Sequence, residues 1–264
     1  DGIRSPQGFT FGAQDAGRGG YTDVSLVKSV EILRGPASAL YGSDGLAGAI
    51  SFNTSDPVDL VTPGEALGGF ARASYSSADE EFSETVAVAG LLGDVSAMLA
   101  YTRRDFKELD NKGDVGGLGS DRTLPNPQDG ESNALLGKLV WQGGNHRIRL
   151  TGEYLDSQLY TNVLTGQGPQ YLFGGPPAPP AWTTDRLEAE DETERTRVSA
   201  DWTWLGEGAI DYAHLAAYWQ SGEDIQYTEE DRTPSPDRSR LNTFENTVYG
   251  LSAEARSEFA TGPL

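Results

Sequence analysis

From residue 69 onward, apolar and polar side chains alternate in blocks, the period of strands with one face in a different medium from the other. Ile148, Leu150, Gly152 and Tyr154 alternate with Arg147, Arg149, Thr151 and Glu153, and Val198, Ala200, Trp202 and Trp204 alternate with Arg197, Ser199, Asp201 and Thr203. The pattern predicts about eight strands, over 69–76, 82–92, 95–106, 133–142, 146–159, 194–205, 209–222 and 243–259. Short turn signals separate some of them, Gly93-Asp94, Gly143-Gly144-Asn145 and Gly206-Glu207-Gly208, as in hairpins. Long polar stretches separate others, over 107–131, 160–191 and 223–240.

The chain before residue 69 is different. Val30, Ile32 and Leu33 form a short apolar run that Gly35-Pro36 stops, because proline cannot donate to a ladder. Pro36 suits the first position of a helical turn over Ala37 to Leu40, and Gly42 its left-handed cap. Ser43-Asp44-Gly45 is turn chemistry. Leu46, Gly48, Ile50 and Phe52 then alternate with small or polar residues as in a strand. Pro57, Pro63 and Gly64 punctuate a linker. A unit this small and glycine-rich buries too little surface to stand alone, so it must pack inside something larger.

Composition narrows the class. The net charge is -20 over 264 residues, which argues against a nucleic-acid surface. There is no cysteine, so disulfides and thiolate metal sites are excluded. No run of about 18 apolar residues predicts a transmembrane helix. That leaves a membrane barrel open, since barrel strands alternate and look only mildly hydrophobic. Short turns on one side and long connections on the other are the pattern of outer-membrane barrels, with short periplasmic turns and long external loops. Trp141, Trp204 and Tyr212 flank the short turns, where an interfacial aromatic girdle would lie. The alternative is a soluble or surface β-rich binding module whose aromatics are core residues.

The run VEILRGPASALYGSDGLAGAISFNTSDP, residues 30–57, resembles the end of the plug domain of TonB-dependent outer-membrane receptors. Asp1-Gly2-Ile3-Arg4 resembles an earlier strand-turn of the same plugs. The resemblance implies an all-β transmembrane fold, a plug inside a large antiparallel β-barrel of about 22 strands in the family, about eight of them here. A closed barrel of about eight is filled by its own side chains and has no room for such a plug. Residues 1–58 are then the C-terminal part of a plug, 59–66 a linker, and 67–264 the first barrel strands. The chain reads as a piece of a longer precursor.

What the resemblance implies for function is active import across the bacterial outer membrane, driven by a TonB-type energy-transducing protein. Its ligand would be iron-bearing: haem or haemoprotein iron, because DGIR, SLVKSVEILRGPASALYGSDGLAGAISFNTSDPVDL, SNALLGKLVW and HRIRLTGEY resemble the haem-receptor branch. A ferric siderophore is the alternative. Haem would be cargo, not a resident cofactor. No catalytic constellation and no metal-site motif emerges from the residues. Outer-membrane lipid is an implied partner and nucleic acid is not.

The candidate residues follow. Phe9, Phe11, Arg18 and Tyr21 lie in a loop that the resemblance places against ligand; they also read as incidental aromatics of a surface loop. The plug motif and its contact with the barrel fall on Glu31, Arg34, Gly35, Pro36, Tyr41, Gly42 and Ser43. Arg34 is expected to pair with lumen-facing carboxylates such as Glu153 or Asp201. His146 and His214 are read as structural.

Overall fold

The computed structural model describes residues 3, 23–35, 48–172, 179–207 and 210–257. Two sheets form. The N-terminal one is an antiparallel hairpin of β1 (Val27–Arg34) and β2 (Gly48–Thr54), with Ile32 opposite Ile50 and Val30 opposite Phe52. A 3-10 turn, Val24–Leu26, precedes β1, and Asp23 caps it by accepting from the Ser25 N–H at 2.7 Å. Ile32 and Ile50 are exposed; two strands alone bury too little to shield either face. The helical turn expected after Pro36 lies outside the described residues.

The second sheet is a meander of long antiparallel strands: β3 (Leu67–Tyr75), β4 (Phe82–Leu92), β5 (Val95–Lys107), β6 (Gln128–Gly143), β7 (His146–Asn162), β9 (Trp182–Leu205), β10 (Tyr212–Thr233) and β11 (Arg238–Arg256). Neighbours in sequence are neighbours in space, apart from the three-residue β8 (Gly168–Gln170), which pairs with β9. All eight expected strands are present. At one end β4–β5 and β6–β7 are joined by two residues each. Gly93 and Gly144 take φ of 56° and 55° there, with positive φ confined to the first central position, as in a type II′ turn. The longer connections lie at the other end, over 108–127 and 163–181.

The expected loop at 223–240 is largely strand instead, and strand also takes the two ends of the one at 160–191. β9 begins at Trp182 and β10 continues to Thr233, leaving only 234–237 as the turn into β11. The reason is physical. About 9–11 residues of a tilted strand cross the hydrocarbon, and β9 has 24. Beyond the lipid neither face needs apolar side chains, so the alternation stops while the backbone ladder goes on.

The two faces of the large sheet are inverted relative to a soluble protein. Val88, Leu99, Leu139, Ile148, Leu150, Val198, Leu215 and Leu251 are exposed, whereas Thr85, Thr102, Lys138, Arg195, Arg197, Asp201 and Gln220 are buried. Thr85 and Thr102, cross-strand partners, share a hydrogen bond of 3.0 Å. A soluble sandwich buries its apolar face; a barrel wall puts it toward lipid and keeps polar groups inside. At the short-turn end Trp202 stacks on His146 and donates to its Nδ1 at 3.1 Å, and Tyr212 stacks on His214, so both histidines are engaged locally.

The inner face carries a small apolar cluster where the chain crosses from hairpin to wall. Val61 packs with Ala87, Ala89, Met98, Ala100 and Leu136, flanked by Leu26 and Leu60. Burying a valine contributes about 1.5–2 kcal/mol. Gly68 makes the crossing possible, because a Cβ there would collide with the Leu60 carbonyl oxygen.

Candidate functional site

The chain leaves β2 at Thr54 and enters a 3-10 turn, Pro57–Asp59. Asp56 stands between them. Its backbone N–H donates to Asp59 Oδ2 at 2.8 Å, and Lys28 Nζ of β1 donates to Asp59 Oδ1 at 2.6 Å. That fixes the backbone and leaves the Asp56 carboxylate directed at the wall. Three cations meet it: Arg147 at 2.7 Å, Lys138 at 3.2 Å and Arg149 at 3.3 Å. They share one face because β6 and β7 alternate, with Val140 opposite Arg149 and Gln142 opposite Arg147. Lys138, whose side chain is fully buried, also donates to the Thr54 carbonyl at 3.2 Å. Arg149 Nε donates to Asp201 Oδ2 at 2.7 Å, its register partner on β9. Burial pushes the Asp56 carboxyl up, but Lys138, Arg149 and Arg147 outweigh it and hold it below the ordinary value of 3.8.

A second node ties the start of the hairpin to β5. Arg104 grips Asp23 with two nitrogens, at 2.8 and 3.0 Å, and reaches Ser25 Oγ at 2.6 Å and Glu81 at 2.7 Å. Such bidentate, charge-assisted contacts are the stronger and more directional kind. Asp23 and Asp56 therefore bracket β1 and β2, each on a cation of the wall.

The expected pairing of Arg34 is not made. Glu153 accepts from Arg195 at 2.7 Å and from Arg197, both on β9, and Asp201 is taken by Arg149. These carboxylates are answered within the wall, so among the described residues the polarity is reversed: the N-terminal segment supplies the acids Asp23 and Asp56 and the wall supplies the bases. Arg34 is exposed, and its side chain makes no hydrogen bond or ion pair among the described residues. Glu31 accepts from Asn53 Nδ2 at 3.2 Å, within the hairpin. Gly35 closes β1 with φ of 109°. Pro36, Tyr41, Gly42 and Ser43, and the proposed contacts Phe9, Phe11, Arg18 and Tyr21, lie outside the described residues. Asp56, Asp23, Lys138 and Arg104 were not singled out from sequence. The one local signal was an acid directly before a proline at the exit of the plug motif, Asp56-Pro57; its partners are not visible in sequence.

At the long-connection end a cavity of about 890 Å³ opens on the inner face of β7, β9, β10 and β11, under the 163–170 connection. Trp182, Phe106 and Leu159 line it together with amide and hydroxyl side chains. Among the described residues no group of three or more histidines or carboxylates is placed to hold a metal ion.

Comparison with known proteins points one way. Residues 1–49 match the family described as the TonB-dependent receptor plug domain. A hemin receptor of Yersinia pestis is 31% identical over 122 residues, covering 46% of this chain and 17% of the receptor. A transferrin-binding protein A of Neisseria meningitidis serogroup B is 32% identical over 124 residues, covering 44% of this chain and 14% of that protein. The chain thus spans under a fifth of the length of these curated relatives. Among solved structures, the FrpB iron transporter of Neisseria meningitidis superposes with a TM-score of 0.54 at 18% identity, over 85% of this chain and 38% of that one. That likeness shows the fold.

Proposed function

We propose that this chain, whose residues 1–49 match the TonB-dependent receptor plug domain, is part of a receptor of the bacterial outer membrane that imports iron-bearing ligands, energised by a TonB-type partner. Residues 1–58 are the C-terminal part of its plug, 59–66 the linker, and 67–264 the first strands of its barrel. The observation that carries this reading is the inverted sheet, with its lipid-type outer face and a charged inner face on which Asp56 and Asp23 latch the N-terminal segment. Such a latch holds a plug at rest and yields when force is applied. The chemistry is transport, not catalysis.

Haem or haemoprotein iron is the favoured cargo. It is supported by the similarity to hemin receptors of Yersinia pestis and Yersinia enterocolitica. Similarity to transferrin-binding proteins supports iron delivered by a host protein as the second reading. A ferric siderophore remains the small-molecule alternative. Growth of an iron-starved strain lacking its own haem receptors, complemented with the full-length protein, tests all three. Haemin-dependent growth that disappears when the energy-transducing protein is deleted is the expected result. Growth on transferrin or a ferric siderophore, but not on haemin, overturns the haem assignment, and growth on none overturns import.

A further inference from the structure

The wall brings three cations to one spot and answers them with one carboxylate of its own. Lys138 of β6 and Arg147 and Arg149 of β7 meet there, and among the described wall residues only Asp201 is ion-paired with them, 2.7 Å from Arg149 and 3.9 Å from Arg147. Arg149 keeps its guanidinium on Asp201 and the Lys138 side chain is fully buried, so the wall itself holds these groups in place. Asp56 comes from outside the wall and receives all three, Arg147 on Oδ2 and Lys138 and Arg149 on Oδ1. Burying cations without matching anions is costly, so a spot built this way favours an occupant with negative charge. Further along the same face Arg195 of β9 has a buried Nε with no acceptor among the described residues. It lines a cavity of about 20 Å³ together with Thr54 and Asp23. The donor capacity of this face exceeds what the wall accepts.

We propose that Lys138, Arg147 and Arg149 form an oxyanion site belonging to the wall, that Asp56 is its resident occupant, and that a free multivalent oxyanion of the phosphate class competes with Asp56 for it. Charge and geometry set the class. Three cations beside Asp201 leave two positive charges, of which the single charge of Asp56 meets one; a phosphate group carries about two negative charges at neutral pH. Two oxygens of one group already span the three donors, and guanidinium with ammonium suits phosphate oxygens. A chloride ion offers no second oxygen for such a span. Access is from the short-turn end, since Arg147 lies next to the β6–β7 turn and both it and Asp56 keep partial exposure. The docked hairpin exit and the bound anion exclude each other, so the anion acts as an effector that unlatches the exit. This goes beyond the import reading and stands without it.

The test is titration of the full-length receptor in detergent with inorganic pyrophosphate, with sodium chloride at matched ionic strength as the reference. Hydrogen exchange over 48–61 is expected to rise and saturate with pyrophosphate and to change little with chloride, while β6 and β7 stay protected. Asp56→Asn removes the resident charge and is expected to bind pyrophosphate at least about tenfold more tightly by calorimetry, the effect of losing a tethered competitor. Adding Arg147→Gln to that variant should abolish the gain, and Arg147→Lys should keep part of it. Protection of β6 and β7 in the same exchange run shows that each variant is folded. An equal response to chloride reduces the effect to screening and overturns the site, as does a response that never saturates. Asp56→Asn binding no tighter than wild type, or a gain that survives Arg147→Gln, overturns it too. Saturable binding that leaves exchange over 48–61 unchanged overturns the competition. None of these readouts depends on iron uptake, so a receptor that imports nothing sinks the import reading alone.

Discussion

Asp56 stands 2.7 Å from the Arg147 guanidinium, and this contact holds the exit of the N-terminal hairpin on the barrel wall. Lys138 and Arg149 close the cradle around the same carboxylate. Removing the acid strands a fully buried ammonium. Asp56→Ala is therefore expected to destabilise the docked segment by about 3 kcal/mol, the lower end for breaking a buried pair because Asp56 itself keeps some exposure. Hydrogen exchange over 48–61 should rise while β6 and β7 stay protected. Arg34→Ala, at an exposed position whose side chain has no partner among the described residues, should change neither.

The same contact carries a pH dependence with a defined sign. The Asp56 carboxyl lies below its ordinary value when docked, so the unfolded segment binds the proton more tightly. The stabilisation is fully present above about pH 4 and is lost as pH falls through the lowered docked value. Protease cutting in 55–66 is expected to be flat from pH 7 to 5 and to increase below pH 4. Asp56→Asn should abolish that acid step.

Arg104 is the corresponding residue at the other end of the hairpin. Arg104→Gln leaves Asp23, whose side chain is almost wholly buried, without its guanidinium and frees Glu81. Exchange is expected to rise over 23–34, with little change over 55–61, where Asp56 still holds. If both segments loosen together, the two nodes act as one unit and their independence is wrong.

The outer face predicts its own response. Leu139 and Leu150 are cross-strand partners, exposed, and about five residues from the short turn. Leu150→Arg is expected to cost about 2–4 kcal/mol, the range for a cation near the bilayer midplane, read as a lower midpoint of unfolding in lipid vesicles. Thr151→Ser, one residue along but on the inner face, should be nearly silent.

The eight strands were legible because lipid enforces alternation wherever it touches them; Ile148, Leu150 and Tyr154 against Arg147, Arg149 and Glu153 is a two-medium pattern. The upper part of β9, Trp182 to Thr193, was not legible as strand. Its run Glu188-Ala189-Glu190-Asp191-Glu192 is charged on both sides, and only pairing with Tyr160 and Gln158 of β7 reveals the ladder. The plug motif was legible, but the partner of its charges was not. Glu153 looked available because sequence does not show that Arg195 and Arg197, two residues apart on the neighbouring strand, point to the same side and meet it. The latch at Asp56 depends on a contact 82 residues away in sequence, to Lys138, and no local pattern encodes such a distance.

The unequal strand lengths have a consequence for approach. β4 has 11 residues and β9 has 24, although both start from the short-turn end. At strand rise and barrel tilt the difference amounts to about 30 Å in height. The described part of the wall is stepped, low along β3 to β5 and high along β9 and β10. Whatever approaches this part of the wall from the long-connection end meets β9 and β10 before it meets β3 to β5.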